Sequence, residues 1–574
     1  MYILGITSFS HEASCALLKD GELKFLIEEE RLNREKHTSK YPALAIAECL
    51  KREGITIHDV DHITFFWIPN REILGNIAHV LKYFPVSLNL LRAPSGGDEL
   101  SFLSRVRLMN TIDRRIQQQF GLAKPPKIHY VEHHLCHAAS AFFVSEFEEA
   151  AILTADGRGE AASTVLSIGR GNRIEKIKEI KVPHSLGHFY AAITDYLGFK
   201  PFFDEWKVMG MSAYGKDTFV PVFEDMIHLM DDGGYRLNLK YFGFHTHGQG
   251  RWISDHLIEK LGPRRNKNEE YQQRHFDIAF GLQRVIEKAG VHLARHLYQE
   301  TKLPNLCLTG GVALNCLMNK RIIEESLFKK VFIQPIANDA GASLGSALYH
   351  YHQTLDQKRG SVFNNVYHGP EFTDVEIEEA LREKKVSYRQ TSCIAQETAQ
   401  YIAQEKIVGW FQGRMEAGPR ALGNRSIVVS PLSASMKDRL NARVKKREHF
   451  RPFAPSVQKE KVNDFFRMPK NALSPYMILV GDVRDDKKAV IPAVTHADGT
   501  ARVHTVDRAI NPRYWELIDE FGKITGVPVL INTSFNENEP IVCTPKDAVE
   551  CFLRTEFDVL VIGNFLAVKN QAGV

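Results

Sequence analysis

The residues best suited to chemistry fall into two sets, and the first lies in the N-terminal 340 residues. In His133-His134-Leu-Cys-His137 the outer histidines are four apart. On a helix they share one face, where two imidazoles can hold one metal. A plain polar face suits the same spacing in a chain with 24 histidines. Asp156 opens Asp156-Gly-Arg-Gly-Glu160 at the end of an apolar run, where glycines let backbone approach a metal or phosphate. Asp339, in Asn338-Asp339-Ala-Gly-Ala, again falls between an expected strand and helix. Two histidines and two aspartates make a mixed N/O donor set that suits Fe(II), Mn(II) or Zn(II). Gly310-Gly311-Val-Ala-Leu-Asn315 follows an apolar strand and opens a helix, so it can seat an anion or nucleotide on backbone N–H groups, or simply be a tight connection. His11 sits in the turn Ser8-Phe-Ser-His11-Glu12-Ala-Ser14, where an imidazole could act as a general base on a hydroxyl or merely face solvent.

The second set is cationic. Gly413-Arg414-Met-Glu416-Ala-Gly418-Pro-Arg420-Ala-Leu-Gly423-Asn424-Arg425-Ser426 carries three arginines among glycines. Lys445-Lys446-Arg447-Glu448-His-Phe-Arg451-Pro452, Arg502, Asn532 and Ser534 follow. Arginines on glycine-rich turns present planar donor forks to a doubly charged phosphate. The interleaved Gly, Pro and Glu and the apolar flanks favour a small-phosphate pocket over a nucleic-acid surface.

These residues need strands to end on and helices to begin. Tyr2–Ile6, a polar turn and Ala16–Leu18 read as a hairpin, followed by a return strand at Leu23–Glu28. The pattern returns about 150 residues later, from Ala151 to Gly169. Two such hairpins suggest a duplicated α/β fold of the actin, sugar-kinase and Hsp70 type, each copy lending one turn to a shared cleft. Helical sequence is expected at Tyr41–Glu53, Asp98–Phe120, Phe280–Thr301 and Ala342–Tyr349. Strands are expected at Leu306–Thr309 and Val331–Gln334. The polar stretch Thr354–Gly369 reads as a linker, giving domains at 1–355 and 370–574.

The bulk properties set limits on function. A chain of 574 residues exceeds a single core. A net charge of +4 gives no sign of a nucleic-acid or membrane-surface binder. The eight cysteines form no CxxC pair, no apolar stretch reaches the length of a membrane span, and no leader-like segment opens the sequence. A cytoplasmic protein is expected.

Taken together, Gly5-Ile-Thr-Ser-Phe-Ser-His11-Glu, Glu30-Arg31…Lys36-His37, Val131-Glu-His-His-Leu-Cys-His-Ala, Lys207-Val-Met-Gly-Met-Ser-Ala-Tyr-Gly and the Asp156, Gly310 and Asp339 motifs resemble the O-carbamoyltransferases of nodulation-factor and antibiotic biosynthesis. Met415-Glu-Ala-Gly-Pro-Arg-Ala-Leu-Gly-Asn-Arg-Ser and Phe450-Arg-Pro-Phe-Ala-Pro-Ser extend the likeness to the C-terminal half. The resemblance implies an ATPase-type domain followed by a YrdC-like α/β domain. It implies that His133, His137, Asp156 and Asp339 hold an iron-like divalent metal (Mn, Zn or Mg being alternatives), that Lys36, Gly310, Gly311 and Asn315 line the nucleotide site, and that His11 activates the acceptor. Arg420, Lys445, Arg451, Arg502, Asn532 and Ser534 would bind carbamoyl phosphate and ATP. The expected partner is a hydroxylated small molecule, without nucleic acid or membrane, and a homodimer is the assembly to test. A hydrogenase-maturation carbamoyltransferase would need Cys-rich zinc modules and an acylphosphatase, which the sequence lacks. A tRNA-modifying enzyme would usually place the two domains on separate chains, and a chaperone-like module would not need the C-terminal arginines.

Overall fold

A computed structural model describes residues 1–91, 102–360 and 362–569. The chain divides into two compact units: Met1–Glu30 with His37–Phe363, and Arg31–Lys36 with Asn364–Val574. The short Arg31–Lys36 excursion into the second unit has no counterpart in the linear reading.

The first unit is built on two five-stranded sheets. One comprises β1 (Tyr2–Thr7), β2 (Ser14–Lys19), β3 (Glu22–Glu28), β4 (His62–Phe65) and β5 (Ile128–Tyr130), in the order β3-β2-β1-β4-β5. The other comprises β6 (Glu149–Ala155), β7 (Ala162–Arg170) and β8 (Arg173–Lys181), then β11 (Asn305–Thr309) and β12 (Lys330–Ile333). A two-stranded ribbon, β9 (Ile227–Leu229) with β10 (Tyr235–Leu237), lies between them in sequence. The second sheet runs β8-β7-β6-β11-β12, the same pattern as the first, with two antiparallel pairs followed by two parallel ones. The repeated hairpin in the sequence is therefore a duplicated sheet. Edge strand β8 alternates charged and apolar residues (Arg173-Ile-Glu-Lys-Ile-Lys-Glu-Ile-Lys181), which blunts an open edge against further pairing.

Two buried helices lie between these sheets. His133–Phe142 leaves the end of β5 and packs on β6, β7 and β11. Ala340–Tyr349 follows β12 and packs on β1, β2 and β4. The two helices also pack on each other. Their small residues allow this: a Cβ on Gly345 would lie 1.8 Å from the Cys136 carbonyl oxygen, and one on Gly5 would lie 2.0 Å from that of Ser343. Helices at Ala43–Glu53 and Gln273–Thr301 match the expected helical segments, the latter starting seven residues earlier than expected. Phe102–Met109 and Ile112–Phe120 are helical, while 92–101, within the third expected helical segment, lies outside the described residues.

The second unit carries one ten-stranded mixed sheet. Its strands are β13 (Arg389–Gln390), β14 (Val408–Phe411), β15 (Arg425–Val429), β16 (Ala454–Gln458), β17 (Phe466–Arg467), β18 (Leu479–Val483), β19 (Thr500–Val506), β20 (Val529–Ser534), β21 (Val559–Ile562) and β22 (Phe565–Val568). Their order is β13-β22-β21-β14-β15-β20-β16-β19-β18-β17. Trp410, Tyr514, Phe521 and the aliphatic side chains of β14, β20 and β21 form its core. No helix among the described residues is long and apolar enough to cross a membrane.

Candidate active sites

In the first unit, chain direction brings the four expected metal-type residues together. His133 and His137 occupy the first and second turns of the 133–142 helix, Asp156 follows the end of β6, and Asp339 immediately precedes the 340–349 helix. The Nε2 atoms of His133 and His137 are 3.2 Å apart, and each lies 3.0 Å from Asp156 Oδ2. Asp339 Oδ1 lies 3.7 Å from the first and 3.6 Å from the second. One donor atom from each of the four residues falls within 4.8 Å of the others. Both histidine Nδ1 atoms are buried without a hydrogen-bond partner, while Trp67 packs on the His133 ring at 4.7 Å between centroids. Two imidazole nitrogens and two carboxylates meeting at one buried point can hold a cation, and the N/O set suits a divalent ion. Without one, protons take its place. Burial acts to lower the His137 pKa, but hydrogen bonds and charge from Asp156 and Asp339 outweigh it and raise it to about 9. Burial acts to raise the Asp156 pKa, and His133 and His137 overcome it, holding the carboxyl well below its usual range.

The surroundings explain this placement. Glu160 accepts the His133 N–H at 3.1 Å and that of Ile68 at 2.9 Å, so a carboxylate caps the start of the histidine helix. Gly159 makes room for it, since a Cβ there would lie 2.5 Å from His134 Nδ1. Asp156 Oδ1 accepts the N–H of Gly157 at 2.7 Å and of Gly311 at 3.3 Å. The same carboxylate therefore joins the metal-type cluster to the Gly310-Gly311 turn. Gly310 has φ +87°, and a Cβ there would meet the Ala155 carbonyl oxygen at 2.2 Å. Asn315 caps the next helix by accepting the Met318 N–H at 3.0 Å, and its side-chain amide pairs with that of Gln283. Lys36 belongs to the second unit, where its Nζ donates to the Asn538 carbonyl at 3.1 Å.

His11 lies beside this cluster. The neighbouring Ser10 donates to Asp339 Oδ2 at 2.8 Å, and Glu12 pairs with Asn338 and His37. Phe202 packs on it at a 35° tilt, 4.5 Å between ring centroids, and Phe203 meets the ring edge-on. Burial lowers the His11 pKa despite the opposing pull of Asp339, Glu12 and Asp156, so the ring stays neutral and basic near pH 7. Four non-glycine residues around it, Phe9, Glu12, His37 and Phe202, have φ between 51° and 67°. Strain concentrated in this way marks a site whose geometry the fold imposes. Phe202, Phe244, Trp252 and His188 pack edge to edge beyond His11. The sequence flagged this segment only through its aromatic and histidine content; spacing gave no sign that the four rings form one wall.

In the second unit, the cationic residues gather around β16, β19 and β20. Lys445 is buried, and its Nζ donates to the Ser534 carbonyl (2.6 Å) and hydroxyl (3.3 Å) and to the Asn536 carbonyl (2.8 Å) and side chain (2.7 Å). Asn532 directs its amide to the Ala421 carbonyl, Ser456 and His504, which sets Arg420 beside β20. Arg447 was not among the expected ligands, yet it belongs to this group. Its guanidinium pKa is held well below the usual range by burial and then by the charges of Arg451 and Arg502. Glu448 pairs with Arg451 at 3.2 Å, and a bound anion would balance the remaining positive charge. Arg425 has a different role. It is wholly buried, and its guanidinium donates to the carbonyls of Gln412, Gly413, Asn424 and Pro370. Glu416 accepts the backbone N–H groups of Leu422, Asn424 and Arg425. Arg425 and Glu416 thus shape the glycine-rich turn that carries Arg420.

Comparison with known proteins matches this architecture. Residues 2–348 match the family described as "Carbamoyltransferase N-terminus", and residues 399–569 match "Carbamoyltransferase C-terminus". The chain belongs to the carbamoyltransferase family. It is 39% identical to nodulation protein NolNO of Sinorhizobium fredii, over 98% of this chain and 80% of that one. It is 40% identical to nodulation protein NolO of Bradyrhizobium diazoefficiens, over 77% of this chain and 80% of that one. An uncharacterized protein of Synechocystis is also 40% identical, over 99% and 97% of the respective chains. Among solved structures, HypF of T. kodakarensis aligns with 62% of this chain and 48% of its own, at 13% identity and a TM-score of 0.32.

Proposed function

We propose that the chain is an ATP-dependent O-carbamoyltransferase that divides its reaction between two sites. In the second unit, a YrdC-like domain on this reading, Arg420, Arg447, Arg451 and Arg502 bind carbamoyl phosphate and ATP, with Lys445, Asn532 and Ser534 shaping the pocket. Water cleaves carbamoyl phosphate to carbamate and inorganic phosphate, the bond between the carbamoyl group and phosphate breaking as a water oxygen is added and its protons are released. A carbamate oxygen then attacks the α-phosphorus of ATP, forming carbamoyl-adenylate and releasing pyrophosphate. In the first unit, the nucleotide part sits against the Gly310-Gly311 turn, where the absence of side chains lets it approach the backbone closely. His11 removes the proton from an acceptor hydroxyl as that oxygen bonds to the carbamoyl carbon, and the bond to the adenylate oxygen breaks to release AMP. His133, His137, Asp156 and Asp339 would hold the divalent ion, for which Fe(II) is the reading from family likeness, and it would supply positive charge beside the nucleotide phosphate. The aromatic wall of Phe202, Phe244 and Trp252 suits a hydroxylated small molecule with a ring face to stack.

The observation that carries this reading is the Asp156 carboxylate, one oxygen of which faces both histidines while the other accepts the Gly311 N–H. On this reading one side chain would join the ion's donors to the turn that seats the nucleotide. The test is release of AMP and pyrophosphate from ATP. Release that requires carbamoyl phosphate supports the reading, and production of ADP alone overturns the adenylate route.

A further inference from the structure

A second group of histidines lies in the first unit, away from the site described above. His62 opens β4, His129 lies in β5, and His350 follows the Ala340–Tyr349 helix. Their convergence follows from backbone geometry. Strands β4 and β5 are parallel, with Thr64 opposite His129. His62 is two residues before Thr64, so His62, Thr64 and His129 point to one face. That face receives the 340–349 helix, with Thr64 Oγ1 and Ser346 Oγ 2.8 Å apart. His350 is four residues beyond Ser346 and therefore lies on the same side of the helix. Here the helix widens into a π turn over His350–Thr354, a feature often found where a helix serves a site.

The resulting distances are short. His62 Nδ1 and His129 Nε2 are 3.4 Å apart, and one ring nitrogen from each of the three residues falls within 4.8 Å of the others. Ring centroids are 5.3 Å apart for His62 and His129, 4.8 Å for His62 and His350, and 4.1 Å for His129 and His350. His350 is 2% exposed, and its Nε2 is buried with no hydrogen-bond partner. A buried ring nitrogen left without a partner beside two other imidazoles is an independent sign that something is to be bound. His62 and His129 are half-buried, which leaves a path from solvent.

We propose that His62, His129 and His350 form a second metal site, which takes a borderline divalent ion of the Zn(II) class on three imidazole nitrogens and leaves the remaining position to water. An all-imidazole set disfavours Mg(II) and Ca(II). The site is distinct from the first: Asp339 and His350 stand at opposite ends of one helix, eleven residues and about 16 Å apart at 1.5 Å per residue. An ion here would clip edge strand β5 and its neighbour β4 to the far end of the helix that positions Asp339. The inference does not depend on the carbamoyl chemistry.

Co(II) uptake tests it, with the metal-stripped full chain compared with His62→Gln and His129→Gln, both at half-buried positions. The parent should bind one more equivalent of Co(II) per chain than either variant and show tetrahedral d–d absorption that both lose. Zn(II) should raise the Tm of the parent more than that of the variants, because it binds only the folded state. Equal Co(II) uptake and an unchanged spectrum in both variants would overturn the site. If one variant fails to fold, the other gives the comparison, and the parent's own spectrum must still show the tetrahedral bands.

Discussion

The sharpest mechanical prediction concerns Gly345→Ala, where the 340–349 helix crosses the 133–142 helix. A Cβ built on Gly345 lies 1.8 Å from the Cys136 carbonyl oxygen and 2.6 Å from its carbon, whereas real Cβ atoms essentially never approach within 3.0 Å. The obstacle is helix backbone, so no side-chain rotation relieves it and the helices must part by more than about 1 Å at this crossing. Overpacking of this kind costs about 1–3 kcal/mol, and a backbone obstacle puts it toward the upper end. The functional consequence is larger than the stability loss. One helix carries His133 and His137 and the other is entered through Asp339, while metal–ligand distances tolerate only about 0.2 Å of error. Gly345→Ala should therefore lower Tm by several degrees and lose metal from the His133/His137/Asp156/Asp339 site on dialysis. Gly360→Ala, whose Cβ meets nothing within 4 Å, serves as control. Differential scanning calorimetry and metal analysis of the dialysed chains give the two readouts. If Gly345→Ala unfolds and keeps metal like the control, the close helix crossing does not set the cluster's geometry.

Two further outcomes follow. Burial raises the Glu205 pKa to about 7, so the folded state holds a proton there that the unfolded chain has already lost; the Glu205 charge therefore costs the folded state stability as pH rises from about 4.5 to 7. Gln can still accept the Phe202 N–H, so the Tm advantage of Glu205→Gln over the parent should grow across that window, and an advantage that does not change with pH refutes the shift. Arg502→Gln removes a charged fork from the second unit, and a charge-assisted hydrogen bond is worth about 1.5–3 kcal/mol. KM for carbamoyl phosphate should rise at least about tenfold, measured by initial rates, with metal content unchanged; an unaltered KM places the phosphate elsewhere.

Much of this was legible in the sequence because local rules set it. The two hairpins showed as apolar runs broken by polar turns, and the duplicated sheet followed from their recurrence. His133 and His137 were readable as a pair because a helix brings residues four apart onto one face, and Asp156 and Asp339 because strand ends and helix starts are where side chains reach a cleft. What escaped depended on tertiary placement. Lys36 falls in the stretch between Glu30 and His37, both of the first unit, yet residues 31–36 belong to the second unit, and no local pattern encodes that departure. Arg425 and Arg420 look alike in a glycine-rich string, but one is wholly buried against four carbonyls while the other sits beside β20. Arg447 joined the cationic group only once the neighbouring charges of Arg451 and Arg502 were placed. His62, His129 and His350 are spread over nearly 290 residues and meet only through a parallel strand register and a helix turn.

On the proposed reaction, activation and transfer are separate, and His11 serves only transfer. The most direct measurement compares the parent with His11→Ala, supplied with ATP, labelled carbamoyl phosphate and an accepted hydroxyl compound, following pyrophosphate and carbamoylated product in the same reaction. His11→Ala should keep pyrophosphate release in the first turnover and lose product formation by a factor of about a hundred or more, the usual contribution of a positioned base. Equal loss of pyrophosphate and product, or product formed at the parental rate, would contradict it.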